Sequence, residues 1–210
     1  MRRIVLALFA VMALLLTFVA PVAADTGPSG PFRESGTSKY LSSQSLDCTP
    51  SHARTTCTET GVDVFSVSPT EVVVCVSTVT YTYSDRTGRG RLISQENGCS
   101  DPVAASTLNI TLSKDNVLTA TLASTSVTLY ECNRRSCTAS RTVTVSASDS
   151  GGPAGTFTNR GSFKDGTCTY RYSESGYTAD VSGTLTIDGT TLAEGGWAQQ
   201  SEFKVSSTCR

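Results

Sequence analysis

The chain of 210 residues carries 17 Lys+Arg, 18 Asp+Glu and one His, a formal net charge of -1, and Ser (29) with Thr (32) fills more than a quarter of it. One histidine excludes a zinc centre built on several His ligands, and the charge balance excludes a global pull toward nucleic acid. The length suffices for one large or two small domains with a real core, and abundant Thr, Val and Gly speak for strands rather than helices.

Arg2 and Arg3 precede an uncharged apolar run from Ile4 to Ala20, and Val22-Ala23-Ala24 supplies small residues before Asp25. This is the pattern of a secretory signal over 1–24, cleaved after Ala24. The expected product is secreted or held at the cell surface, with no membrane span after cleavage. Residues 25–39, containing Gly, Pro and Ser without periodicity, read as a flexible leader. Strands are then expected at about 40–48, 57–67, 71–84, 91–95, 107–113, 116–123, 126–132, 137–148, 167–173, 177–187, 190–193 and 201–209. Short polar connections such as Lys114-Asp115-Asn116 and Asp188-Gly189 enforce antiparallel neighbours. The expected fold class is all-β, an antiparallel meander closed into a barrel or packed as a sandwich. Over 71–84 the apolar face is read as Val73, Cys75, Val79, Tyr81 and Tyr83.

Eight cysteines, an even number in an oxidising destination, read as disulfides. Cys75 and Cys99 lie symmetrically about Thr87, so a hairpin there sets them opposite each other. Cys48 with Cys57 and Cys132 with Cys137 close short loops, and elimination leaves Cys168 with Cys209. The order of these cysteines repeats along the chain. Leu46-Asp47-Cys48 resembles Tyr130-Glu131-Cys132, and Cys75 followed by Tyr81 and Tyr83 resembles Cys168 followed by Tyr170 and Tyr172. Two internal repeats are therefore expected, 40–131 and 132–210, continuous with one another.

Asp149-Ser150-Gly151-Gly152-Pro153 resembles the nucleophile motif of trypsin-like serine proteases, five residues of the chain. The resemblance implies Ser150 as nucleophile, His52 as base and Asp85 or Asp101 as its orienting carboxylate, in that family's order. The surroundings depart from the family: Ser148 stands where it has the oxyanion-hole glycine, and Pro50-Ser51-His52-Ala53-Arg54 lacks its small-residue–His–Cys context. Turn chemistry is the preferred reading of this Gly/Ser/Asp string, and the protein is read as leaning away from an enzyme. Asn109-Ile110-Thr111 is a glycosylation acceptor where the source has that machinery. No cofactor or metal motif is present. If strands alternate up and down, loops 49–56, 85–90, 114–116 and 133–136 share one end, carrying Arg54, Arg86, Arg89, adjacent Arg91, Lys114, Arg134 and Arg135. An Arg-rich rim of this kind suits an anionic cell-wall or extracellular polymer, or an acidic protein, and the expected role is non-catalytic binding or envelope structure.

Overall fold

The computed structural model describes residues 31–132 and 136–209; the expected signal segment and residues 25–30 of the expected leader lie outside them. Eleven strands follow one another: β1 (Arg33–Ser51), β2 (Arg54–Ser68), β3 (Glu71–Ser84), β4 (Gly90–Cys99), β5 (Val103–Ala104), β6 (Leu108–Leu112), β7 (Leu118–Cys132), β8 (Cys137–Gly151), β9 (Gly155–Asp165), β10 (Cys168–Ile187) and β11 (Thr190–Cys209). A single 3-10 turn, Ala105–Thr107, separates β5 from β6. The strands pair in the order β11-β1-β2-β3-β4-β7-β8-β10, and β10 pairs back onto β11, closing a ring. Every pairing is antiparallel, so the all-β, closed, antiparallel class holds.

Alternation explains the ring. Val62 and Val64 on β2, Val72, Val74 and Val76 on β3, and Val143 and Val145 on β8 point inward with Leu41, Leu118, Leu129 and Leu185, all buried. Threonines such as Thr142 and Thr144 alternate with them on the outside. The inward phase of β3 is therefore opposite to the one expected. Val72, Val74 and Val76 fill the interior, while Val73, Cys75, Val79, Tyr81 and Tyr83 are only half-buried. A run of three consecutive valines makes the phase ambiguous by a single residue.

Three short strands prolong longer ones. β5 takes over from β4 along β3, since Cys75 faces Cys99 and Val72 faces Val103. β9 takes over from β8 along β10, with Ser150 opposite Ser182 and Gly155 opposite Thr178. β6 lies along the first half of β7, from Leu112 opposite Leu118 to Leu108 opposite Leu122. Strand directions consequently put the turns after β1, β3, β7 and β10 at one end, the upper end. The turns after β2, β6 and β9 lie at the lower end.

Residues 33–39, expected within a flexible leader, instead form the first part of β1. They pair with β11 alone, Arg33 opposite Ser206 through Lys39 opposite Gln200, whereas pairing with β2 begins at Tyr40. Backbone pairing fixes this stretch where its side chains give no apolar signal. Lys39 anchors it further, its Nζ donating to the Ala105 and Leu108 carbonyls at 3.0 and 2.6 Å. Below the ring, β9, β10, β11 and this part of β1 thus continue as a four-stranded extension. All four expected disulfides are present, Cys48–Cys57, Cys75–Cys99, Cys132–Cys137 and Cys168–Cys209, each joining directly opposed residues of paired strands.

Candidate functional site

The upper end begins with two hairpin tips that touch. The β1–β2 turn puts His52 in the left-handed region (φ 52°), and Cys48–Cys57 clamps the strands just below it. The β3–β4 turn reverses at Gly88 (φ 65°), where the absence of a Cβ removes the left-handed penalty. Arg54 is in register with Ser84, the Asp85 amide donates to the Ala53 carbonyl at 3.1 Å, and Thr55 Oγ1 donates to Asp85 Oδ1 at 2.8 Å. Arg54, Arg86, Arg89 and Arg91 are exposed on or beside these joined tips. Four arginines therefore stand on or beside the joined tips, with the Asp85 carboxylate held by Thr55.

The remainder of the expected rim is corrected in part. Lys114 belongs to the turn after β6, and β6 descends in the same direction as β4, so Lys114 is at the lower end. The expectation failed because the reversal anticipated between the strands at 91–95 and 107–113 is absent: β4, β5 and β6 run in one direction. The two strands anticipated at 116–123 and 126–132 are one strand, β7, with a register shift between Leu122 and Thr125, which returns the chain to the upper end at Cys132. Cys132–Cys137 lies at the upper end, and Arg134 and Arg135 between these cysteines lie outside the described residues.

Ser150 and His52 are not brought together. Ser150 sits exposed in mid-sheet, paired with Thr119 on one side and Ser182 on the other. Its row continues through Gly195 of β11 to Gln44 of β1, three strands away, and His52 lies eight residues farther along the chain, just past the end of β1. A base must approach its nucleophile to about 3 Å. The backbone around Ser150 is committed to sheet pairing rather than to the turn that was expected there. Asp85 sits near His52 in the upper turns, whereas Asp101 follows β4 beside Ser100 on a surface hollow of ≈ 410 Å³. Asn109 is exposed on β6, its side chain opposite in phase to buried Leu108 and Ile110.

One polar cluster escaped the sequence reading. Asp149 on β8, Gly183 on β10 and Glu194 on β11 stand in a single row across three strands. Asp149 is 2% exposed and Glu194 9%, so two carboxyl groups lie within the barrel wall, with the Ser43 hydroxyl donating to Asp149 Oδ2 at 2.9 Å. A Cβ on Gly183 would stand 2.6 Å from Asp149 Oδ1 and 2.1 Å from the Ser148 carbonyl, so glycine at the middle of the row makes room for the carboxylate. Burial pushes Glu194 up to about 8, and the proximity of Asp149 pushes the same way. Neither Glu194 oxygen nor Asp149 Oδ1 has a hydrogen-bond partner, so a proton kept on Glu194 is how this wall accommodates two acids. Asp149-Ser150-Gly151 and Glu194-Gly195-Gly196 both carry turn-forming residues, and only strand register shows that they line up on either side of β10. No protein-family model, curated protein or solved structure matches the chain.

Proposed function

We propose that this is a secreted, non-catalytic β protein with an extracellular binding or envelope-structural role, holding an anionic polymer at its upper rim. The observation that carries the reading is the convergence of Arg54, Arg86, Arg89 and Arg91 on two hairpin tips tied by the Asp85–Ala53 hydrogen bond and braced by Cys48–Cys57. Loops held in place lose little conformational freedom on binding. Four disulfides fit an oxidising destination, in keeping with the signal-like pattern of residues 1–24.

Support for duplication comes from the order of the ring. β1-β2-β3-β4 and β7-β8-β10-β11 each carry one disulfide between their first two strands and one between their last two. The boundary expected at 131/132 falls at the upper end of β7. A triple Arg54→Ser, Arg86→Ser, Arg89→Ser variant tests the rim. Its affinity for dextran sulfate at low salt should fall about tenfold with the melting temperature nearly unchanged, because exposed charges contribute little to folding. Wild-type protein that fails to bind dextran sulfate at low salt refutes the rim.

A further inference from the structure

We propose that the concave face of the β9–β10–β11–β1 extension is a second anion-binding site, built by Arg33, Arg160, Lys164, Arg171 and Lys204 to take an acidic polysaccharide. The proposal does not depend on the upper rim, which lies at the other end of the molecule.

The registers of these four strands run without a shift, so alternate residues can be assigned to faces. Arg160, Ser173, Lys204 and Ser35 form one row across the sheet. Ser162, Arg171, Ser206 and Arg33 form the next, and Lys164 beside Thr169 begins a third. All five cations are exposed, and among the described residues the one ion pair is Arg141–Glu96, far from this sheet. None of the five therefore stands in an ion pair. Glu202, in the row of Thr158, Ser175 and Thr37, is the acid on the same face.

The two faces are sorted by chemistry. Glu34, Asp165 and Glu174 alternate onto the opposite face together with Phe163, Tyr170 and Tyr172, and Phe163 and Tyr170 stack there with centroids 4.9 Å apart. Glu174 is further held there by Ser201, whose hydroxyl donates to it at 2.6 Å. The residues that line a hollow of ≈ 240 Å³ here include Arg160 and Lys204 together with the acids Glu174 and Glu202. The basic side continues the phase of the barrel interior, odd residues of β10 in both, which makes it the concave one.

Charge complementarity selects an anion, and the residues between the cations select a sugar polymer. Serine and threonine hydroxyls flank nearly every cation, offering donors and acceptors to glycan hydroxyls at the cross-strand spacing of about 4.8 Å. An acidic protein would require a desolvated aromatic or aliphatic anchor at the centre of its footprint. That centre here is Ser173 and Lys204; Tyr177, in the row of Thr156 and Gln200, shares this face away from the centre, and Phe163, Tyr170 and Tyr172 stand on the other side of the sheet.

The test uses the full protein with polygalacturonate, polyglutamate and neutral dextran as probes. The Arg160→Ser, Arg171→Ser, Lys204→Ser variant should bind polygalacturonate about tenfold more weakly, equal to about 1.4 kcal/mol spread over three exposed charges. Its salt dependence should flatten, neutral dextran should not bind, and the melting temperature should hold. Should the triple variant melt early, Arg160→Glu on the outermost strand alone reads the same site. Polygalacturonate affinity equal to wild type in the folded variant overturns the proposal, as does a larger loss for polyglutamate than for polygalacturonate. Loss confined to the Arg54/Arg86/Arg89 variant likewise overturns this site while leaving the rim standing, and loss confined to the Arg160/Arg171/Lys204 variant does the reverse.

Discussion

The row Asp149–Gly183–Glu194 makes stability depend on one proton. Glu194 titrates near 4.5 when unfolded and is raised to about 8 when folded. Between those values the folded chain binds more protons than the unfolded chain, so stability falls as pH rises. Relative to the ionised group, the contribution is fully present below about pH 4.5 and lost as pH passes through 8. Thermal melts should show the wild type several degrees less stable at pH 8.5 than at pH 5.5, with Glu194→Gln removing most of that difference. A slope unchanged in Glu194→Gln would assign the proton to another group. Such a pair is hard to find in a sequence. Each acid stands beside serine or glycine, and the wall brings them together from positions 45 residues apart.

At the scale of strands, glycine proved the misleading letter. Glu194-Gly195-Gly196 and Ser175-Gly176 read as breaks, yet β10 and β11 run through them as uninterrupted twenty-residue strands. A Cβ on Gly196 would lie 1.9 Å from the Ser42 carbonyl, and one on Gly176 would lie 2.1 Å from the Gln200 carbonyl. These glycines permit close backbone approach between neighbouring strands rather than reversals. Gly195 has open space around its missing Cβ, which sets up a paired comparison. Gly196→Ala should cost about 2 kcal/mol or more in denaturant melts by forcing β1 from β11. Gly195→Ala should change stability by at most about 0.5–1 kcal/mol, in the stabilising direction. Equal effects would mean that the β1–β11 contact is looser than the register requires. β9 was missed altogether, because an edge strand reading Thr-Phe-Thr-Asn-Arg-Gly-Ser-Phe-Lys has no buried face to impose alternation. The cysteines, by contrast, were legible: antiparallel partners equidistant from a turn must face each other, whatever surrounds them.

For the molecule as a whole, the four disulfides close loops of very different span. Cys168–Cys209 spans 41 residues and Cys132–Cys137 spans 5. The chain-entropy argument assigns about 4 kcal/mol to the first and about 2 kcal/mol to the second. Replacing Cys168 and Cys209 by serine should therefore lower the denaturation midpoint by more than replacing Cys132 and Cys137, and the opposite order would point to enthalpic strain or residual denatured structure. The ring was legible as a class, since hairpin-sized connections allow little else. Its end-to-end polarity was not, because β4, β5 and β6 run in one direction where a reversal was expected, which moves the turn at Lys114 to the other end. The seam between β1 and β11 has a kinetic corollary. Arg33 meets Ser206 and Gln44 meets Gly195, so the contacts that shut the wall join segments more than 150 residues apart. Non-local pairing of this order slows folding, because the entropy of bringing distant segments together is spent before any contact repays it. Until β11 arrives, β1 carries an unmatched row of amides and carbonyls, open to pairing with another chain. During that interval a crowded solution of nascent molecules is exposed to strand exchange between neighbours, and dilution should favour the monomeric ring.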